Sequence, residues 1–417
     1  MMLPHLGTRA MPLQPSSLDL LSRFARQAVF RQLGTIQKGW IELIDTDGTI
    51  HFFGCKDAEL HAQIEVLDPR FYRLLVTGGA NGAAEAWCLG FWKSHELVTL
   101  LRIFVRDGQT RREMESGTAR VAQLLRKLRL SSANNTRGKN KLYIAAHYDL
   151  GNSFFAQFLD ETMMYSAAIF DSPEVDLHTA QARKNRRICE LAGLRPGMEV
   201  LEIGSGWGGF AAMAAGEFDC QVTTTTISEE QFTYTCERIR SLGLSERVTV
   251  IREDYRDLQG QYDAIVSIEM IEAIGAHHYD DYFAVAARCL KPDGRFVVQA
   301  ITIDNDQYER ASREVDFIKQ YIFPGSCIPC EGVLRASSSR AGLVWESADD
   351  IGQHYATTLA HWRDNFLGNL AQIRELGLPA SFIRMWVYYF CYCEAGFHEA
   401  YISNLQITLR NPGKSLA

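Results

Sequence analysis

The period of the apolar positions changes along the chain, and the changes mark its parts. Two short alternating runs, "WIELIDTDGTIHFFG" (residues 40–54) and "AQIEVLDPRFYRLLVTGG" (residues 62–79), are bounded by "DTDG" and "GGANG". A period of two closed by turn residues predicts the strands and turns of a small α/β or α+β module. Helical spacing follows in "AAEAWCLGFWKSHELVTLLRIFV" (83–105) and in "RREMESGTARVAQLLRKLRL" (111–130). "SSANNTRGKN", residues 131–140, is nearly free of apolar side chains and reads as a linker. Beyond it five β-rich runs, "MEVLEIG", "CQVTTTTIS", "RVTVIRED", "YDAIVSIEM" and "RFVVQAITI", alternate with helical segments, and "KPDG" supplies a turn before the last. Such alternation predicts a parallel, doubly wound sheet. The tail, from about residue 350 to 405, is again mainly helical and aromatic.

The organisation expected is a smaller N-terminal α/β domain over 1–130, a linker over 131–145 and a main α/β domain over 146–417. A chain of 417 residues with 47% hydrophobic composition can bury a large core in two or three such bodies. The net charge of −7 argues against a nucleic-acid partner, which would favour a basic excess. "MMLPHLGTRAMPLQPSS" has neither a continuous apolar segment nor a small-residue cleavage site, so a secretory signal is not expected. No run approaches the roughly 18 apolar residues that a membrane span needs. Ten cysteines scattered through such a chain point to reduced thiols and a cytoplasmic location.

The candidate chemistry begins at "LEIGSGWGGF", residues 201–210. Gly204, Gly206 and Gly209 match G-x-G-x-x-G between a strand and a helix, as a dinucleotide site would. A nicotinamide site also wants an acid at the end of the next strand, and that strand ends in "TTTTISEEQ", with Asp219 lying before it. The alternative spacing Glu202-x-Gly204-x-Gly206-x-Gly208 resembles motif I of class I S-adenosylmethionine-dependent methyltransferases, where missing Cβ atoms let a cofactor approach the backbone.

Flanking stretches sharpen the likeness. "AAHYDLGNSFFAQFLDETMMYSAAIF", "LEIGSGWGGF", "TISEEQ", "EDYRDL", "FIKQYIFPGSCIP", "HYATTLAHW" and "CEAGFHEAYISNLQITL" occur in that order. Together they resemble the cyclopropane-fatty-acyl-phospholipid synthase and mycolic acid methyltransferase family. "GGANGAAEAWCLGFW" is also similar to the N-terminal domain of the bacterial phospholipid-acting branch. The resemblance implies a class I methyltransferase (Rossmann-like) fold with helical acyl-chain-binding insertions. The reaction it implies is methyl(ene) transfer from S-adenosylmethionine to the double bond of an unsaturated acyl chain. An alkene is a weak nucleophile, so the sulfonium methyl must be held close and in line. Methylation leaves a carbocation, which water would intercept; the pocket has to be dry, and aromatic faces suit it.

Carried over motif by motif, the resemblance makes Tyr165, Ser166, Gly204, Gly206, Thr226, Ile227, Gln231, Asp254 and Tyr255 cofactor contacts, with His147, Tyr148 and Asp149 closing over them. It implies a bound bicarbonate as the base, held by Ala167, Glu272, Gln299, Ile301 and Tyr355. Cys393 matches a cysteine near the catalytic group. Two positions depart from the family pattern: Ala167 stands where a cysteine is usual, and Gln299 where histidine is frequent. Glutamine can donate through its amide but cannot titrate. The expected product is a cyclopropane, with a methyl-branched, methylated-olefin or furan-precursor acyl chain as the alternative. A lipid-binding or cofactor-sensing protein without turnover is a reading of another class.

The partners so implied are unsaturated phospholipid acyl chains, the inner face of a membrane and, by family analogy, a second copy of the chain. Arg111, Arg112, Arg120, Arg126, Lys127 and Arg129 lie on a basic amphipathic pattern suited to an anionic surface. Cys327 and Cys330 form C-x-x-C without a second pair at zinc spacing, so no metal is expected.

Overall fold

The computed structural model describes residues 19–108 and 151–413, which form two compact units. The expected linker at 131–145, the basic segment with its six cations, and His147, Tyr148 and Asp149 lie outside the described residues. The first unit is not one stretch of chain: it takes in residues 314–322 and 370–399 as well as the N-terminal part. Its division from the second unit therefore differs from a contiguous boundary at 130 and 146. The reason is packing. The aromatic helix Ala380–His398 lies on α2 (Arg70–Leu89) and α3 (Leu97–Arg106). Trp87 Nε1 donates to the Arg384 carbonyl at 2.9 Å, and Arg102 and Arg106 both grip Glu399, at 2.6 and 2.5 Å.

The N-terminal part of that unit is a four-stranded sheet in the order β2-β1-β3-β4, made of Trp40–Ile44 (β1), Ile50–Gly54 (β2), His61–Val66 (β3) and Trp92–Lys93 (β4). "DTDG" makes the expected hairpin turn between β1 and β2, with Gly48 at φ 82°. Asp45 at that turn is buried and accepts from Arg26 Nε at 2.5 Å and from the Tyr72 hydroxyl at 2.8 Å. It so ties α1 (Leu20–Leu33) and α2 to the sheet. "GGANG" is not the turn between strands that its composition suggests: it lies inside α2 as a kink, with Gly79 at φ 58°, ψ −137°. Only glycine enters that region of backbone space cheaply. The kink brings Gly82 so close to Leu74 that an added Cβ would stand 1.9 Å from the Leu74 carbonyl oxygen.

The second unit carries a seven-stranded sheet in the order β10-β11-β9-β8-β5-β6-β7. All five runs expected as strands form: β5 (Glu199–Ile203), β6 (Gln221–Thr225), β7 (Val248–Ile251), β8 (Tyr262–Ile268) and β9 (Leu290–Ile303), and they run parallel to one another. "KPDG" is absorbed into β9, whose chain bends at Asp293, φ 61°. The sheet is extended by an antiparallel pair, β10 (Val344–Asp350) and β11 (Ile402–Arg410), so the tail is not helical throughout. Apolar clusters cover both faces, one around Val200, Phe210 and Val266, the other around Leu201, Ile265 and Phe283. Strand order reverses between β5 and β8, and ligands bind outside the carboxyl ends of the strands at such a switch.

Gly82→Ala is expected to destabilise the protein by roughly 2 kcal/mol or more, because the clash is with backbone and cannot be relieved by a rotamer change. Urea denaturation checks this; a wild-type midpoint would mean that the kink has room for a methyl group.

Candidate active site

The glycine turn leaves β5 at Ile203, with Gly204, Gly206 and Gly208 at φ of 99°, 50° and 82°. Gly204 and Ser205 donate their N–H groups to the Thr225 carbonyl at 3.1 and 2.8 Å, which pins the turn to the end of β6. Gly208 precedes the helix Gly209–Gly216, and a Cβ there would meet Thr235 at 2.8 Å. Among the described residues a Cβ at Gly206 would meet nothing within 4 Å, so they leave that flank of the turn open. Thr226 Oγ1 donates to Gln231 Oε1 at 3.1 Å, and Ile227 follows at the end of β6. After β7, the Asp254 carboxylate is held by Arg256 at 2.8 and 2.6 Å. The buried Tyr255 hydroxyl beside it has no partner among the described residues, and burial pushes its pKa up, keeping it a phenol donor. An open glycine flank after β5 and an unsatisfied buried donor after β7, with β6 between them, fit the cofactor implied for these residues. S-adenosylmethionine would lie there against Gly204, Gly206, Thr226, Gln231 and Tyr255.

Beneath the turn, two buried ionisable groups balance each other. Glu202 is pushed up to about 8 by burial, against the pull of the Thr224 hydroxyl at 2.6 Å and of Lys184. Lys184 is pushed down to about 8 by burial, against the attraction of Glu269, Asp160 and Glu202. Its ammonium donates to Ser166 Oγ at 2.9 Å, while Gln181 donates to the Ser166 carbonyl at 2.7 Å. Ser166, expected as a cofactor contact, is thus committed to Lys184.

The next strand end carries the acids. Glu269 directly follows β8, and Glu272 lies in the single 3₁₀ turn Ile271–Ala273. A Cβ on Gly204 would stand 3.1 Å from Met270 Cγ, so the acidic segment abuts the glycine turn. Glu272 Oε1 accepts from the Ile301 N–H at 2.5 Å, so two residues expected to contact bicarbonate bond to each other, and among the described residues its buried Oε2 has no partner. Burial, and then the charge of Glu269, push Glu272 up to about 8.

Three of the residues expected to hold bicarbonate converge elsewhere. The Ala167 N–H, Gln299 Nε2 and the Tyr355 hydroxyl donate to the carboxylate of Glu269 at 2.9, 2.8 and 2.7 Å. Asn404 of β11 adds a fourth donor at 2.7 Å, and Gln406 fixes Gln299 by donating to its carbonyl oxygen at 2.9 Å. The residues present do not fit a bicarbonate ion, because a protein carboxylate already occupies their donors. Burial raises the pKa of Glu269, opposed by those hydrogen bonds and by Lys184.

Aromatic rings connect the acids to the glycine turn. Tyr355 meets Trp362 edge-on at 5.9 Å, Trp362 meets Tyr165 at 5.2 Å, and Tyr165 meets Phe155 at 5.5 Å. Phe155 in turn meets Trp207 of the glycine turn at 5.0 Å. The wall is apolar and largely buried, which suits an acyl chain. Cys393 belongs to the first unit, on the helix Ala380–His398, where burial raises its thiol pKa. Cys327 and Cys330 are buried and form no disulfide. Among the described residues no group of three or more His, Cys, Asp or Glu could hold a metal ion. The sequence reading missed Glu269, Asn404, Gln406 and Lys184. Glu269 had a signal, a second acid three positions before Glu272 in "SIEMIEAIG" at a strand's carboxyl end.

The sequence profile of the family described as mycolic acid cyclopropane synthetase matches residues 135–407. Tuberculostearic acid methyltransferase of Mycobacterium tuberculosis is 35% identical over 343 residues, 80% of each chain. Cyclopropane-fatty-acyl-phospholipid synthase of Escherichia coli is 35% identical over 351 residues, 83% of this chain and 87% of that one. Among solved structures, mycolic acid cyclopropane synthase CmaA1 complexed with SAH and CTAB superposes with a TM-score of 0.60 at 29% identity, covering 65% of this chain and 98% of that chain. Cyclopropane synthase MmaA2 of Mycobacterium tuberculosis gives 0.61 at 28% identity, over the same shares of each. Glycine turn, strand order and these matches agree: the chain belongs to the mycolic acid cyclopropane synthetase family and is an S-adenosylmethionine-dependent methyltransferase.

Proposed function

We propose that the chain methylates the double bond of unsaturated acyl chains in membrane phospholipids and closes the product to a cyclopropane. The observation that carries this reading is the buried acid pair, Glu269 and Glu272, set against the glycine turn and joined to it by an aromatic wall. S-adenosylmethionine supplies an electrophilic methyl when bound. The aromatic rings exclude water and face the positive charge that develops on the acyl chain. The acids provide a place for the proton that must leave. The 35% identity to the Escherichia coli synthase over 83% of this chain supports the phospholipid substrate.

A second reading, loss of a different proton to leave a methylated olefin, which a separate hydride donor would have to reduce to give a methyl-branched chain, is favoured by the equal identity to tuberculostearic acid methyltransferase. Both readings require access to a bilayer, and among the described residues no helix is long and apolar enough to cross one. The basic segment between Arg111 and Arg129 is proposed as the docking element for anionic lipid at the inner membrane face, and a homodimer is proposed by analogy with the family.

Expression in a host whose lipids lack modified acyl chains tests the reaction. Mass spectrometry is expected to show unsaturated phospholipids heavier by one CH₂ and, for the cyclopropane, resistant to ozonolysis. A mass gain with an ozonolysable bond selects the second reading, and unchanged lipids reject both. Replacing the six cations by glutamine is expected to weaken co-sedimentation with anionic vesicles several-fold; undiminished binding would remove the segment from docking.

The Glu272 carboxyl also carries a pH signature. Its folded pKa, about 8, lies above the value of 4.5 for a free glutamate. Between those values the folded protein keeps a proton that the unfolded chain has released. Stability from this group is therefore full below pH 4.5 and is lost as pH rises to about 8. Glu272→Gln removes the titration, so the variant is expected to gain on wild type by roughly 2 kcal/mol or more between pH 4.5 and 8, read from urea midpoints. A constant difference across that range would show that Glu272 is ionised when folded.

A further inference from the structure

The ligand set that the family resemblance gives to a bicarbonate ion is, in this chain, the ligand set of a side chain. Ala167 N–H, Gln299 Nε2 and Asn404 Nδ2 all donate to Oε1 of Glu269, at 2.9, 2.8 and 2.7 Å, whereas among the described residues Oε2 accepts from the Tyr355 hydroxyl alone, at 2.7 Å. A carboxylate oxygen offers about two acceptor sites, so Oε1 is saturated and Oε2 retains capacity. The backbone is bent to deliver the group. Glu269 sits at φ 51°, a left-handed conformation that costs a non-glycine residue on the order of 1 kcal/mol, and its N–H is pinned to the Gln299 carbonyl at 2.8 Å. Strain of this kind persists where surrounding contacts over-determine it, and it clusters at active sites.

We propose that Glu269 is the general base of this enzyme, its Oε2 taking the proton that a bicarbonate ion would otherwise accept. The inference rests on the methyl-transfer reading given above. In the step, the π electron pair of the acyl double bond forms a C–C bond to the methyl carbon, and the C–S pair remains on sulfur. The neighbouring acyl carbon is left as a cation. A C–H bond of the new methyl then breaks; its electron pair closes the third side of the ring, and the proton forms an O–H bond on Glu269. Cation and carboxylate become neutral hydrocarbon and carboxylic acid, and the proton passes to solvent before the next turnover. Neighbouring groups favour this division of labour. Four hydrogen-bond donors and the nearby Lys184 favour the carboxylate form of Glu269, whereas Glu272, with one backbone donor, is pushed up to about 8 by burial and by the charge of Glu269.

The test uses the full-length enzyme with S-adenosylmethionine and vesicles of unsaturated phospholipid, in buffer stripped of carbon dioxide. Wild type is expected to turn over equally with and without added bicarbonate. Glu269→Gln should lose 100-fold or more in rate, in the range measured for general bases, while keeping its affinity for S-adenosylhomocysteine. Glu269→Gly relieves the left-handed strain and empties the cradle; it should be as slow, and added bicarbonate should restore part of its rate. A binding measurement is independent of turnover: with S-adenosylhomocysteine present, ¹³C-bicarbonate should show saturable binding to the Glu269→Gly variant and none to wild type. A wild-type rate that falls on stripping bicarbonate, saturable bicarbonate binding to wild type, or a Glu269→Gln variant of normal rate each overturns the base assignment and leaves the functional reading standing. Wild type that alters no phospholipid under any condition overturns the functional reading, and the base assignment falls with it. Should both variants fail to fold, the two wild-type measurements decide.

Discussion

A carboxylate removed from water must find donors or surrender its charge. At Glu269 it finds four, and they come from segments far apart in the chain: the loop at Ala167, β9 at Gln299, the helix Gly352–Gly368 at Tyr355 and β11 at Asn404. Satisfying that single group therefore constrains where strand β11 lies against β9, how the helix is set and how the loop before Leu177 closes. Gln406 extends the constraint by holding the amide of Gln299 in one orientation. The polar network is buried beneath an apolar wall, so each member matters more than it would in water.

The same arrangement answers the demands of alkene methylation. A cationic hydrocarbon needs a dry, non-nucleophilic enclosure and a base within reach. Trp362, Tyr165 and Phe155 form a path of ring contacts from the acids to Trp207. Lys184 serves both regions, attracted by Glu202 at the strand below the glycine turn and by Glu269 at the next strand end. Its ammonium lets two buried acids coexist with one compensating charge. The departures at Ala167 and Gln299 are then intelligible. Ala167 meets the acid through its backbone N–H, and Gln299 cannot titrate, which accords with proton acceptance by Glu269 as proposed above.

Much of this was legible in residues read one after another. The five parallel strands appear where β-rich runs alternate with helical ones, and the glycine turn appears between a strand and a helix. Glu272 and Ile301, each expected at a bicarbonate ion, instead bond to each other at 2.5 Å. Other features misled for identifiable reasons. "GGANG" has the composition of a turn, yet a helix can pass through it by kinking at Gly79. The aromatic run "MWVYYFCYC" reads correctly as a helix, but nothing in its period says that it joins the N-terminal unit across about 270 residues of chain, taking Cys393 with it.

What the sequence determined by itself was everything set by local period and backbone chemistry: strand and helix types, the cofactor turn, the reaction class. What only the tertiary structure decided was which donors meet which acceptor. Ala167, Gln299, Tyr355 and Asn404 are separated by up to 237 positions, from residue 167 to residue 404, and no periodicity encodes their convergence. Hydrogen bonds act over about 3 Å in space and are blind to separation along the chain, so the occupant of that cradle became visible only when the sheet was assembled.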